Sequence, residues 1–213
     1  MRNDLTELVM VIDRSGSMST IKDDAEGGIN QFIDDQKKLP GACSLTLVQF
    51  DTVYDFVHKG VPIHTVGKYD LVPRGSTALL DAVGRAIFET GERLKGIAEA
   101  ARPGLVVFVI VTDGQENSSH EFELPKIKEM IQHQQDVYKW QFNFLAAGTD
   151  AFAARMGIGA DNAAAYALGA SPKMYRATSD KIGRMRGQAA SGKSVGSAFT
   201  DAERADMMDE DKK

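Results

Sequence analysis

The stretch LVMVIDRSGSM, residues 8–18, joins a continuous apolar run to an aspartate, a turn and two hydroxyl side chains. Residues 8–12 are apolar without alternation, which is the pattern of a strand whose two faces are both covered by helices. Asp13 follows this run directly, and Ser15 and Ser17 flank a glycine in the turn after it. The stretch therefore predicts a central parallel strand that presents polar oxygen atoms at its carboxyl end.

A second continuous apolar run covers residues 105–111 and is also followed by an acid, Asp113, within the sequence VTDG. It predicts a second central parallel strand. Residues 43–51 and 52–61 alternate more clearly between apolar and polar and lie nearly back to back, which predicts an antiparallel hairpin at one edge of the sheet. Two further strands are predicted at residues 140–147 and 163–168.

Apolar residues at helical spacing separate these strands. The helical patterns run from about residue 21 to the sequence LPG at 39–41, from 77 to 94, from Pro125 to Tyr138, and from Pro172 to Met185. Because strands and helices alternate, we expect a doubly wound α/β fold with a mostly parallel sheet, one antiparallel edge strand and helices on both faces. In such a fold, ligands bind at the carboxyl ends of the strands.

The chain of 213 residues, 43% of them hydrophobic, is long enough to bury one substantial core. We therefore expect a single domain over residues 1–190. Residues 191–213 are small, polar and charged, and they offer little apolar surface to offset the entropy lost on ordering. This segment is expected to be a disordered acidic C-terminal tail, with self-association through it as one hypothesis.

Charge and composition exclude several classes of function. The net charge is −5, and no stripe of Lys and Arg is interleaved with aromatic residues, so nucleic-acid binding is not expected. No segment of signal-peptide length precedes the first strand, and residues 105–111 are too few to span a bilayer. The single cysteine, Cys43, lies in an alternating stretch that predicts a buried strand thiol. We therefore expect a cytoplasmic protein without a membrane association.

The two acids at the carboxyl edge of the sheet predict a metal site. Asp13 and Asp113 repel each other unless a cation offsets their charge. The sequence RGST places the hydroxyl of Thr77 at a helix N-terminus on the same edge. Ser15, Ser17 and Thr77 would then supply neutral oxygens, with the aspartates bound directly or through water. Oxygen ligands with few charges suit Mg²⁺, with Mn²⁺ or Ca²⁺ as substitutes, and no His/Cys spacing indicates zinc.

Five residues carry a resemblance to a known family. From about residue 5 to 190 the chain resembles the von Willebrand factor A (vWA) family, whose metal ion-dependent adhesion site (MIDAS) is written Asp-x-Ser-x-Ser, then a threonine, then an aspartate. All five positions match in order, as Asp13, Ser15, Ser17, Thr77 and Asp113. The resemblance implies a non-enzymatic protein-binding domain with an intact MIDAS. In that role the hydroxyls hold Mg²⁺, the aspartates orient water, and one open position accepts an Asp or Glu side chain from a partner.

Three other interpretations remain open. A Mg²⁺-dependent phosphoryl-transfer hydrolase would need a second aspartate two residues after Asp13, where Ser15 stands. Residues 187–194, GQAASGKS, satisfy the P-loop pattern but lack an apolar strand before them, so we treat the match as accidental. The domain could also be a metal-independent structural or assembly protein.

We expect Arg14 to point to solvent rather than to attract an acidic partner.

Overall fold

The computed structural model describes residues 1–147, 151–167 and 170–208. Six strands form one sheet in the order β3-β2-β1-β4-β5-β6, and every neighbouring pair is parallel except β2 and β3. The strands are β1 (Arg2–Asp13), β2 (Ala42–Phe50), β3 (Tyr54–Pro62), β4 (Pro103–Thr112), β5 (Gln141–Ala147) and β6 (Ala163–Tyr166). The predicted fold class, including the antiparallel edge strand, is confirmed. The predicted last strand ends at Tyr166, and Leu168 lies outside the described residues.

Helices cover both faces of the sheet. They are α1 (Lys22–Lys38), α2 (Leu79–Lys95), α3 (Leu124–Tyr138), α4 (Ala151–Arg155), α5 (Ser171–Ala190) and α6 (Asp201–Met208). Helices α1, α5 and α6 contribute to one hydrophobic core, and α2, α3 and α4 contribute to the other. Leu8, Met10 and Ile12 of β1 enter the first core, while Val9 and Val11 enter the second. Because alternate residues of β1 enter opposite cores, the strand needs apolar side chains on both faces, which explains its unbroken apolar run.

Strand register brings the two predicted acids to one edge. Ile12 is paired with Val111 across the parallel β1–β4 ladder, so Asp13 and Thr112 end these strands side by side. Helix α2 begins at the same edge, while its last residues lie near the start of β4. The carboxyl edge of the sheet therefore gathers the turn after β1, the N-terminal end of α2 and the turn after β4.

The C-terminal segment differs from the prediction. We expected residues 191–213 to be disordered, but Phe199 and Met207 are buried in the core shared with α1 and α5. Arg204 of α6 also donates to a backbone carbonyl of β6 at 2.7 Å. A few large apolar residues in a polar segment are enough to cover the sheet beside β6, and average composition does not reveal them. In the described structure residues up to 208 therefore pack against the domain, and residues 209–213 lie outside the described part.

Two minor sequence features have clear structural explanations. The P-loop-like pattern begins inside α5, since Gly187 to Ala190 are the last helical residues, so no strand leads into it. Cys43 is buried in β2 as predicted, and burial raises the pKa of its thiol to about 11. Within the described ranges, none of the helices combines the length and apolar character needed to cross a bilayer.

Candidate metal centre

Hydrogen bonds connect the turn after β1 to the turn after β4. Ser17 Oγ donates to Asp113 Oδ1 at 2.8 Å, and Ser15 Oγ lies 3.0 Å from Ser17 Oγ. The backbone N–H of Ser15 donates to Asp13 Oδ1 at 2.7 Å. Four of the five predicted ligands therefore form one continuous chain of short contacts, although Asp113 is 96 positions from Ser17.

The fifth residue, Thr77, meets the others around Gly114. A Cβ atom at position 114 would lie 3.2 Å from Thr77 Oγ1, 3.7 Å from Ser17 Oγ and 3.8 Å from Asp13 Oδ2. These three oxygens, which come from the turn after β1 and from the loop before α2, thus surround one small volume beside the turn after β4. A glycine at 114 keeps that volume free of side-chain atoms. The structure brings all five residues together.

Charge at this site favours a cation. Asp13 is completely buried, and burial raises the pKa of its carboxyl to about 6. Burial also raises the pKa of Asp113, and no described Lys, Arg or His forms an ion pair with either acid. Two partly desolvated carboxylates without a positive partner are stabilised by a divalent cation.

The donor set fits a hard cation such as Mg²⁺. It consists of hydroxyl and carboxylate oxygens, which Mg²⁺, Mn²⁺ and Ca²⁺ prefer. Across the described ranges, no group of three or more His, Cys, Asp or Glu side chains is arranged to hold a metal ion. The candidate centre differs from such groups because three of its five side chains are neutral hydroxyls.

Sequence reasoning missed three residues that support the site. Thr112 Oγ1 donates to Asp13 Oδ2 at 2.6 Å and accepts from the N–H of Gly114 at 3.1 Å. Asn117 Oδ1 accepts from the N–H of Thr77 at 2.9 Å, and Glu116 accepts from the first turn of α2. Thr112 could have been recognised as the last residue of its strand beside Asp113. Asn117 and Glu116 carry no local signal, because their partners are about 40 positions away.

The prediction for Arg14 is wrong. Its side chain is buried rather than directed to solvent, and its Nε donates to Asp51 Oδ2 at 2.8 Å while Nη2 donates to Asp55 Oδ2 at 2.6 Å. Arg74 donates to the same oxygen of Asp51, also at 2.8 Å. Burial opposes ionisation of Asp51, but hydrogen bonds from Arg74 and Val53, with the nearby positive charges, hold its pKa below the usual value. The turn between β2 and β3 supplies Asp51, and the start of β3 supplies Asp55.

Backbone hydrogen bonds fix the loop that carries Thr77. The N–H of Arg74 donates to the carbonyl of Arg14 at 2.8 Å, and the N–H of Gly16 donates to the carbonyl of Gly75 at 3.1 Å. Gly75 has φ +67°, and a Cβ there would lie 2.7 Å from Thr52 Oγ1, so the position requires glycine. The loop before α2 is thereby tied directly to the turn after β1.

Comparison with solved structures identifies the fold. Proximal thread matrix protein 1 from the mussel byssus aligns with a TM-score of 0.61 at 13% identity, over 84% of this chain and 46% of that one. A von Willebrand factor type A structure from Catenulispora acidiphila aligns with a TM-score of 0.58 at 13% identity, over 84% and 43%. The chain has a vWA-like fold. No protein-family profile and no curated protein sequence matches it.

Two more solved structures extend the comparison. The pilus adhesin SpaC from Lactobacillus rhamnosus GG aligns with a TM-score of 0.62 at 11% identity, over 84% of this chain and 30% of that one. Another structure of the mussel protein, which aligns with a TM-score of 0.56 at 14% identity over 87% of this chain and 44% of that one, is described as having a zinc-occupied MIDAS motif. The present chain spans less than half the length of these proteins, and at such identities the likeness shows the fold alone.

Proposed function

We propose that this vWA-like domain is a protein-binding domain that depends on a divalent metal ion. Mg²⁺, with Mn²⁺ or Ca²⁺ as substitutes, would be held by the set described above: Asp13, Ser15, Ser17, Thr77 and Asp113. The observation that carries the proposal is the convergence of oxygens from the turn after β1 and the loop before α2 around the free volume at Gly114, with Asp113 joined to them through Ser17. A hydrogen bond donated by Thr112 to Asp13 and one accepted by Asn117 from the Thr77 N–H support these segments, as a preorganised site requires.

The chemistry of this ligand set favours an acidic partner. Neutral hydroxyl ligands leave much of the positive charge on a bound cation, so an Asp or Glu carboxylate from another protein gains a strong and directional bond. The structural neighbours include a matrix protein and a pilus adhesin, which supports a binding role over an enzymatic one. Such a domain would act by binding its partner rather than by converting a substrate.

Phosphoryl transfer is the alternative in the enzyme class. It would need a general acid two positions after Asp13, but that position holds Ser15, whose hydroxyl contacts Ser17. A metal-independent assembly protein is the alternative in the structural class. A negative phosphatase assay would exclude the first, and the second predicts that metal has no effect on binding.

Metal uptake is the first test. Chelator-stripped protein is titrated with Mn²⁺, and free Mn²⁺ is followed by electron paramagnetic resonance. We expect one bound ion, and Asp13→Asn should weaken its affinity roughly a hundredfold or more, because even second-shell changes cost ten- to a hundredfold. Asp180→Asn, an exposed acid of α5, is the matched control and should bind normally.

The same preparations show whether a failure is due to misfolding. In chelator, Asp13→Asn should unfold at a temperature equal to or above that of the wild type, because the variant removes a buried charge. Absence of any saturable Mn²⁺ uptake by the wild type would overturn the metal proposal and favour the assembly protein.

Preference for an acidic partner is the second test. The probe is N-acetylglutamate amide, added to Mn²⁺-loaded protein while the relaxation rate of water protons is measured. A carboxylate that displaces metal-bound water should lower this rate, whereas N-acetylglutamine amide, the neutral control, should not. Equal effects of the two compounds would contradict carboxylate capture while leaving metal binding intact.

A further inference from the structure

A large cavity lies at the end of the sheet opposite the candidate metal centre. Its volume is about 590 Å³, and it is formed by the C-terminal ends of α2 and α3 together with the start of β4. This volume is within the range of sites that bind small organic molecules. None of the five candidate metal ligands lines it.

The lining of the cavity is largely apolar and includes aromatic side chains. Leu94, Val106, Val137 and Trp140 line it, and Trp140 stacks on Phe108 with ring centroids 5.5 Å apart. The stack continues to Phe142, whose ring centroid lies 4.7 Å from that of Phe108. Val137 and Tyr138, which also lines the cavity, are more than half exposed. An aromatic compound that covers these surfaces would gain both apolar burial and ring contacts.

Positive charge surrounds the same cavity. Its lining contains Lys95, Arg102 and Lys139, whereas Glu92 is the one carboxylate among the lining residues. Glu92 Oε1 lies 3.4 Å from Lys95 Nζ, so the carboxylate of Glu92 offsets the charge of Lys95. Arg102 donates to the backbone carbonyls of Ile97 and Lys95, and Lys139 donates to a backbone carbonyl of α3. Carbonyl partners are neutral, and among the described residues no Asp or Glu forms an ion pair with Arg102 or Lys139.

We propose that this cavity is a binding site for a small aromatic anion, a carboxylate or sulfonate carried on a ring system. The ring would occupy the apolar volume beside Trp140, and the anionic group would be held by the charges of Arg102 and Lys139. The site is independent of the candidate metal centre, because the two lie at opposite ends of α2.

Naphthalene-2-sulfonate is the probe, and 2-(hydroxymethyl)naphthalene is its neutral counterpart. Isothermal titration calorimetry at low salt should show saturable binding of one sulfonate per chain and much weaker binding of the alcohol. Absence of saturable binding, or equal binding of both compounds, would overturn the proposal.

Two variants test the position of the site. Gly91 of α2 lines the cavity, and a Cβ there would approach only Trp140, at 4.0 Å. Gly91→Leu should keep or raise the melting temperature, since leucine favours helix, and should weaken binding roughly tenfold or more by occupying the part of the cavity beside Trp140 where the ring would lie. Lys139 has φ 58°, which asparagine tolerates, so Lys139→Asn should remove one charge and weaken binding about threefold.

Lys68→Gln provides the matched control for charge, because Lys68 is exposed on the loop between β3 and α2, outside the cavity. Its binding of naphthalene-2-sulfonate should equal that of the wild type. If Gly91→Leu bound the probe as tightly as the wild type, or if Lys68→Gln weakened binding as much as Lys139→Asn, the cavity would not be the site.

Discussion

Arg14 Nε lies 2.8 Å from Asp51 Oδ2, and the two side chains are only 6% and 4% exposed. Arg74 Nε lies at the same distance from the same oxygen, but its side chain is 57% exposed. Two guanidinium groups therefore bind the same carboxylate oxygen, one from the protein interior and the other from the solvent-exposed surface. Because solvent screens only the outer one, the two arginines should contribute unequally to stability.

Replacement of each arginine by glutamine tests this difference. Arg14→Gln leaves Asp51 buried with one exposed partner, and we expect the free energy of unfolding to fall by roughly 3–5 kcal/mol, as when a buried pair is broken. Arg74→Gln should cost less than about 1 kcal/mol. Urea denaturation followed by circular dichroism measures both values. Equal losses would contradict the assignment of Arg14 to a buried structural role.

Adjacent glycines of α1 should respond in opposite directions to alanine. A Cβ at Gly28 would lie 2.3 Å from Cδ2 of the buried Tyr175 on α5, whereas a Cβ at Gly27 has nothing within 4 Å. We expect Gly28→Ala to destabilise the protein by roughly 1–3 kcal/mol through overpacking. Gly27→Ala should stabilise it by about 0.5–1 kcal/mol through helix propensity. Melting temperatures that rise in both variants would argue against close contact between α1 and α5.

Two consecutive methionines test whether α6 belongs to the folded domain. Met207 is fully buried, and Met208 is 56% exposed. Met207→Ala should lower the free energy of unfolding by roughly 2–5 kcal/mol, because it leaves a cavity in the core. Met208→Ala should change it by less than about 0.5 kcal/mol. A disordered segment would make the two substitutions equally harmless in chemical denaturation.

Lys181 should give the protein a stability that rises with pH. Burial lowers the pKa of this side chain from 10.5 to about 7, and its Nζ lies 3.5 Å from the ring centre of Phe199 and 3.1 Å from Asn162 Oδ1. Between about pH 7 and 10.5 the unfolded chain holds the proton that the folded chain has released. The cost of burying the charge is therefore full below pH 7 and declines as the pH rises.

Lys181→Met removes this dependence. We expect the variant to be more stable than the wild type at pH 6 by about 1 kcal/mol or more, because it removes a buried charge, and the advantage should shrink toward pH 10. Urea denaturation at pH 6, 8 and 9.5 measures the difference. Lys193→Met, at an exposed lysine, is the control and should show no such trend. A constant difference between wild type and Lys181→Met would contradict a lowered pKa.

Much of the candidate site could be predicted because it depends on local patterns and strand direction. Unbroken apolar runs identify strands covered on both faces, and parallel strands place their carboxyl ends at one edge. Asp13 and Asp113 each follow such a run, and Thr77 precedes a helical pattern, so their approximate convergence could be deduced. The metal bound there is still a proposal.

Long-range contacts could not be predicted in this way. Arg14 has the local sequence of an exposed turn residue, and only the position of the β2–β3 hairpin decides that Asp51 and Asp55 accept hydrogen bonds from it. Phe199 and Met207 look isolated in a polar segment, but the edge of the sheet beside β6 covers them.

The sequence by itself determined the two central parallel strands, the antiparallel edge and the three segments that meet at the carboxyl edge, because these follow from periodicity and strand direction along the chain. Tertiary structure decided which polar residues are buried, how Thr112 and Asn117 hold the site, and where the cavity beside Trp140 opens. The physical reason is that burial and hydrogen bonding depend on partners tens of positions away, and no local pattern records those partners.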